Sequence, residues 1–209
     1  AELSHPGLVR YIAHGVDGGA RYLVMEWLEG VDLSQRLARG PLAVAEAVAM
    51  VRRAAEALAT LHARGIVHRD VKPSNMFLVD GRTDRVKVVD FGLARPAGDG
   101  SVTMTGVAIG TPRFMAPEQV RGRRDLDARV DVYGLGGVLY TALTGRPAFA
   151  GADHMAILAR VLLEEPTPVR ELVPDVPVGL DELVGEMMAK DRMDRPVDAA
   201  AVIGRLDAI

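Results

Sequence analysis

Apolar residues recur at three- and four-residue intervals at Val44, Val48, Val51, Ala55, Leu58 and Leu61. This stripe predicts a long helix over 43–64 with one face toward a core, stopped by Gly65. Similar periodicity predicts helices over 127–144, 153–163, 178–190 and 198–207, with proline-containing connections at 166–177 and at Pro196. Shorter apolar runs at 8–14 and 20–26 flank Gly15-Val16-Asp17-Gly18-Gly19 and read as two antiparallel strands around a turn. Polar Glu29-Gly30-Val31-Asp32 leads into a short helical stretch ending near Gly40. Two more β-type runs, Met76–Val79 and Val86–Val89, surround the turn Asp80-Gly81-Arg82-Thr83. Residues 92–112 are rich in Gly, Ser and Thr and follow no period, which marks a functional or mobile loop. The order is a little β, one long helix, a loop-rich centre and then helices: an α+β chain without internal repeats.

Composition narrows the classes. The 209 residues are 49% hydrophobic, enough for one sizeable core. With 25 basic and 28 acidic side chains, no nucleic-acid-binding surface is expected. The absence of cysteine excludes disulfides and thiolate metal sites, and the scattered His5, His14, His62 and His154 suggest no metal centre. No apolar stretch reaches the roughly 18 residues of a membrane span, so no membrane contact is expected from this segment. Only three basic residues are lysine, Lys72, Lys87 and Lys190, which points to a GC-rich, bacterial genome.

The chemistry concentrates in His68-Arg69-Asp70-Val71-Lys72-Pro73-Ser74-Asn75. Moving a phosphoryl group to a hydroxyl needs a carboxylate at the hydroxyl proton, positive charge near the transferred group and oxygen ligands for magnesium. Asp70, Lys72 and Asn75 offer those functions within six residues. Asp90-Phe91-Gly92 begins 20 positions after Asp70 and supplies a second metal ligand, Asp90 beside Asn75. A hard cation that keeps several waters fits one carboxylate and one amide oxygen.

These segments, with Ala116-Pro117-Glu118 following in order, resemble the eukaryotic-like serine/threonine protein kinases also common in bacteria. His68, Arg69 and Asp70 match the catalytic loop, with Val71 in place of the usual leucine, and Asp90, Phe91 and Gly92 match the metal-binding motif. The resemblance implies a protein-kinase-like α+β fold: residues 1–28 as the last strands and hinge of the N-lobe, 29–209 as a nearly complete helical C-lobe. It implies ATP with Mg2+, or Mn2+ in its place, as cofactors, and proteins with Ser/Thr acceptors as substrates. Lys72 and Thr111, the latter placed to tie the substrate loop to Asp70, indicate Ser/Thr specificity.

Other roles follow from the same resemblance. Met25 stands as gatekeeper, and backbone groups of Glu26 and Leu28 meet adenine, leaving their side chains free to vary. Asp32 meets the ribose, and Phe77 with Leu28 walls the base. Taken alone, Met25 and Phe77 read first as ordinary core packing; within this motif order they read as adenine contacts. Arg69 marks the kinase type whose activation loop is ordered by phosphorylation, so Thr103 and Thr105 are expected autophosphorylation sites, reached in trans through self-association. Asp131 is expected to prop the catalytic loop, with Tyr133 replacing the commoner tryptophan, and Arg195 to pair with Glu118.

The glycine-rich loop, the ATP-anchoring lysine and its glutamate partner are not found, and the chain opens on Ser4-His5-Pro6-Gly7 like the interior of a longer polypeptide. An N-terminally truncated catalytic domain is therefore expected, inactive and poorly soluble by itself, with an exposed apolar edge. Its need for ATP implies a cytoplasmic location, in a protein that a further segment can anchor to a membrane. The alternative is a catalytically inactive, kinase-like binding module, disfavoured because such a module has no need of Asp70, Lys72, Asn75 and Asp90.

Overall fold

The computed structural model describes residues 4–90 and 112–209; Phe91, Gly92, Thr103, Thr105 and Thr111 lie outside them. Strands β1 (Tyr11–Asp17) and β2 (Ala20–Met25) pair antiparallel. The turn is tighter than the sequence pattern indicates. Gly15, Val16 and Asp17 extend β1, and Gly18 and Gly19, both at positive φ, make the reversal. Apolar side chains of this hairpin, among them Ile12, Val16, Tyr22 and Leu23, are exposed.

Leu8 and Val9, expected in the first strand, sit elsewhere. Both are buried, and the Val9 amide donates to Val88 O at 3.1 Å. Their side chains join the main core, so the chain leaves that core at Arg10 before forming the hairpin.

A second, antiparallel sheet contains β3 (Gly30–Asp32), β4 (Met76–Val79) and β5 (Val86–Val88), in that order. The polar run at 29–32 thus contributes a strand that no local pattern announces. Gly30 allows it: a Cβ there would lie 2.0 Å from Leu78 O, and its φ is +145°.

Helix α1 (Leu33–Leu37) starts at Asp32, whose side chain accepts from Gln35 N as its N-cap. Helix α2 (Val44–His62) follows, with Val51, Ala55, Leu58 and Leu61 buried as expected and Ala47, Met50, Ala54 and Ala57 buried beside them. It ends where Gly65, at φ +70°, donates back to His62 O. After α3 (Pro117–Val120), α4 (Arg129–Thr144) runs through the centre and is buried on all sides. Helices α5 (His154–Leu163), α6 (Val169–Leu172), α7 (Val178–Met187) and α8 (Ala199–Leu206) complete the body. Of these, α6 arises inside the stretch expected to be a connection. Among the described residues no helix is long and apolar enough to cross a membrane.

Candidate active site

The segment 68–75 is irregular, and its shape is imposed from below. Asp131, fully buried in the first turn of α4, accepts the His68 amide on Oδ2 and the Arg69 amide on Oδ1, each at 2.7 Å. Arg69 takes φ +68°, a left-handed backbone that a non-glycine residue adopts only when its surroundings insist. The loop also lies directly on α4: a Cβ on Gly134 would sit 2.8 Å from Val71 O.

His68 fastens the loop sideways. Its Nδ1 accepts from the Asp70 amide at 3.3 Å, so the proton resides on Nε2, which donates to Val89 O at 3.0 Å. The Val89 amide in turn donates to Asn75 O at 3.0 Å. Asp90 follows, exposed and at φ +57°. Two segments separated by twenty positions are thereby stitched together.

At the surface of this scaffold, Lys72 Nζ lies 2.7 Å from Asp70 Oδ2. The Asn75 amide nitrogen donates to Asp70 O at 2.8 Å and to Oδ2 at 3.0 Å. Both partners engage Oδ2, which leaves Asp70 Oδ1 open, and the Asn75 amide oxygen likewise faces no protein donor among the described residues. An open carboxylate oxygen, an ammonium and an amide oxygen share one rim, with the Asp90 carboxylate joined through Val89. The Asn75 and Asp90 oxygens have the hardness a magnesium ion requires, and such an ion takes its further ligands from water and phosphate oxygens.

The segment between the sheets has a comparable economy. The Glu26 amide is taken by Arg10 O at 2.9 Å, whereas the Glu26 carbonyl and Leu28 amide are unpaired among the described residues. Those two groups fit the edge of an adenine. Met25 is 36% exposed on β2, and Phe77 is half-buried on β4 opposite Asp32. Asp32 serves first as the cap of α1 through Oδ1, and its Oδ2 remains available to a ribose hydroxyl.

The Glu26 side chain departs from expectation. It is not free to vary: its Oε1 accepts the Arg10 amide at 2.7 Å and lies 2.5 Å from Lys87 Nζ. Burial works to raise the Glu26 pKa, but the Lys87 bond, the Arg10 amide and both positive charges outweigh it and hold the carboxyl below its ordinary value.

The expected Glu118–Arg195 pair is present and buried, and the ring of Tyr133 lies under the guanidinium at 4.8 Å. This places the helical start of the 116–120 segment against the body.

A family model described as the protein kinase domain matches residues 1–203. The chain belongs to the protein kinase domain family. Among this family's members, the serine/threonine-protein kinase PknB of Mycolicibacterium smegmatis is 40% identical over 207 residues, 96% of this chain and 33% of that protein. The serine/threonine-protein kinase PknL of Mycobacterium tuberculosis is 39% identical over 210 residues, 100% of this chain and 52% of that protein. The PknI kinase domain of Mycobacterium tuberculosis superposes with a TM-score of 0.74 at 25% identity, covering 98% of this chain and 72% of that one. The chain thus spans between a third and about half the length of these curated kinases.

Sequence reasoning missed three residues of this kinase-family site. Gln119 accepts the Ala116 amide at 2.9 Å and donates to Arg69 O at 2.8 Å, clamping the 116–120 segment to the loop. His62, dismissed as scattered, accepts the Ala199 amide on Nδ1 at 3.2 Å and so donates from Nε2 to Asp131 Oδ2 at 2.9 Å. Lys87 is the third. Their partners lie far away in sequence, and only the position of Gln119 next to Glu118 offered a clue.

Proposed function

We propose that this chain is the catalytic region of a serine/threonine protein kinase that moves the γ-phosphoryl of ATP to Ser/Thr hydroxyls of proteins. The observation that carries this reading is the Asp70–Lys72–Asn75 cluster, held on two backbone hydrogen bonds to Asp131. Asp70 Oδ1 accepts the hydroxyl proton as the substrate oxygen forms its bond to phosphorus and the bond to the bridging oxygen of ADP breaks. Lys72, paired on the other carboxylate oxygen, keeps positive charge beside the equatorial oxygens of the transferred group. Asn75 and Asp90 hold Mg2+, which neutralises phosphate charge when bound. The Glu26 carbonyl and Leu28 amide read adenine, Phe77 and Leu28 flank it, and Met25 stands behind it.

The names of the similar kinases and the presence of Lys72 both favour serine and threonine as acceptors. Thr111 is assigned to the substrate loop, and Thr103 and Thr105 are the proposed sites of autophosphorylation, made in trans between two copies. Dependence on ATP assigns the domain to the cytoplasm. Residues 1–28 are read as the N-lobe side of the site and 29–209 as the C-lobe.

The test is transfer of labelled phosphate from ATP–magnesium by the natural full-length protein, with Asp70→Asn and Asp90→Ala beside it. Incorporation that both substitutions abolish supports the reading. Incorporation that survives Asp70→Asn, or none from the unmodified protein, overturns it.

A further inference from the structure

The peptide group that joins Arg69 to Asp70 is held at both ends, and unequally. Its N–H reaches His68 Nδ1 at 3.3 Å. Its carbonyl, Arg69 O, is met by Gln119 Nε2 at 2.8 Å, and no backbone amide among the described residues reaches that oxygen. Asp131 fixes the two amides before this group, and the Asn75 side chain fixes the Asp70 carbonyl after it. Gln119 therefore supplies the shorter of the two bonds on the peptide plane that leads into Asp70. Arg69 stands at φ +68°, so no regular structure supports that plane from its own chain.

The orientation of the Gln119 amide is settled by its partners. A backbone N–H only donates and a backbone oxygen only accepts, so Oε1 faces the Ala116 amide at 2.9 Å and Nε2 faces Arg69 O. Gln119 is also mounted on a firm base. Glu118 beside it is buried and takes both ends of the Arg195 guanidinium, and the Gln119 backbone amide donates to Ala116 O at 2.9 Å. One side-chain amide thus carries the position of α3 across to the peptide next to the reacting carboxylate.

Phosphoryl transfer is sensitive to such a link. It asks the protein for little covalent chemistry and relies on positioning and electrostatics. A displacement of about 1 Å at a reacting group can cost on the order of a hundredfold in rate.

We propose that Gln119 is a positioning residue for the transfer, acting through the Arg69 carbonyl to aim Asp70, so that the catalytic loop is set only while the 116–120 segment is seated. This rests on the phosphoryl-transfer reading above. The donor bond to Arg69 O carries the effect; the acceptor bond to the Ala116 amide serves α3 alone.

Two substitutions separate the two bonds. Gln119→Glu keeps an acceptor for the Ala116 amide and removes the donor, whereas Gln119→Lys keeps a donor for Arg69 O and removes the acceptor. Initial rates of labelled phosphate incorporation by the full-length protein, into itself and into dephosphorylated casein, are measured across ATP–magnesium concentrations, with melting temperatures beside them. In Gln119→Glu the maximal rate is expected to fall about tenfold or more while the KM for ATP stays within about twofold. Gln119→Lys restores most of the rate. An undiminished rate in Gln119→Glu, a changed KM with the rate kept, or an equal loss in Gln119→Lys overturns the proposal. Should Gln119→Glu lower the melting temperature, Gln119→Leu, which lacks both bonds, takes its place: equal rates in the leucine and lysine variants then refute it.

A second readout needs no activity. With carbonyl carbon-13 in arginine and nitrogen-15 in aspartate, only Arg-Asp peptides give a carbonyl–nitrogen correlation. This sequence holds two, at 69–70 and 124–125, and Asp70→Asn identifies the first by its loss. The 69–70 signal is expected to move in Gln119→Glu, because that nitrogen shares its peptide group with the Arg69 carbonyl. If the unmodified protein transfers no phosphate, the phosphoryl-transfer reading falls and this signal alone decides: movement upholds the link from Gln119 to Asp70, and an unmoved signal overturns it.

Discussion

Arg195 grips Glu118 with both ends of its guanidinium, Nη1 to Oε1 at 2.7 Å and Nη2 to Oε2 at 2.9 Å, and both residues are buried. The remaining donors reach Ala189 O, Arg129 O and Lys190 O. A charge this deep is tolerated because every N–H direction is occupied. Removing one partner leaves the other charged and unpaired, so Arg195→Ala is expected to cost about 3–5 kcal/mol of stability. Arg195→Lys recovers only part, because an ammonium cannot make the fork. Chemical denaturation of the three proteins checks the order; equal midpoints would remove the pair from any structural role.

Beside that pair, Tyr133 carries a buried hydroxyl with no partner among the described residues. Burial pushes its pKa well above the ordinary tyrosine value of 10.0, against the opposing charge of Arg195. A raised folded pKa means that the protein is fully stabilised below the unfolded pKa and loses stability as pH climbs past it. Tyr133→Phe is therefore expected to be neutral or about 1 kcal/mol stabilising at neutral pH, with the advantage growing above pH 10. Melting curves across that range decide it, and a variant weakened at every pH would contradict the assignment of an orphaned hydroxyl.

Glu26 and Lys87 link the connecting segment to β5, and a pH signature is expected of the pair. Because the folded Glu26 pKa lies below 4.5, its contribution is in place above that value and is lost as pH falls through the folded pKa. The pair is partly exposed, so a double-mutant cycle with Glu26→Gln and Lys87→Met should give about 1 kcal/mol or less. The coupling should vanish once the pH has fallen below the folded pKa of Glu26. Coupling that persists in acid would show packing, not charge, at work.

Substitution at Asp131 tests the loop scaffold. Asp131→Asn offers one carbonyl oxygen where two backbone amides and His62 now find a carboxylate, and is expected to cost about 3 kcal/mol. If phosphoryl transfer is the activity, kcat should fall further than KM changes, since the loss is in the placement of Asp70. A variant with normal kcat would detach Asp131 from catalytic positioning.

How much of this was legible depends on how far each residue's partners lie. Helices α2, α4, α5, α7 and α8 declare themselves because a 3.6-residue period is a local signal. Strand β3 does not, since Gly30-Val31-Asp32 is extended only because β4 lies beside it. Helix α6 was hidden by its flanking prolines, and Leu8 looked like a hairpin residue until β5 claimed it. The site divides the same way. Asp70, Lys72 and Asn75 fall within six consecutive positions, and Arg195 and Asp131 were reached through motif resemblance. His62 bonds Asp131 across 69 positions and Gln119 bonds Arg69 across 50, and no period or spacing encodes such pairs. The expectations for Phe91, Gly92, Thr103, Thr105 and Thr111 concern positions outside the described residues.

The two amides held by Asp131 also set how residues 68–75 move. An irregular surface loop ordinarily exchanges its amide hydrogens through small local openings. Here the His68 and Arg69 amides point inward to a carboxylate in the most buried helix, and freeing either strands a charge that water cannot reach. These two hydrogens should therefore exchange only when α4 itself comes apart, at rates matching its central residues. In its irregular course the segment is a loop; in its cooperativity it is part of the helical core.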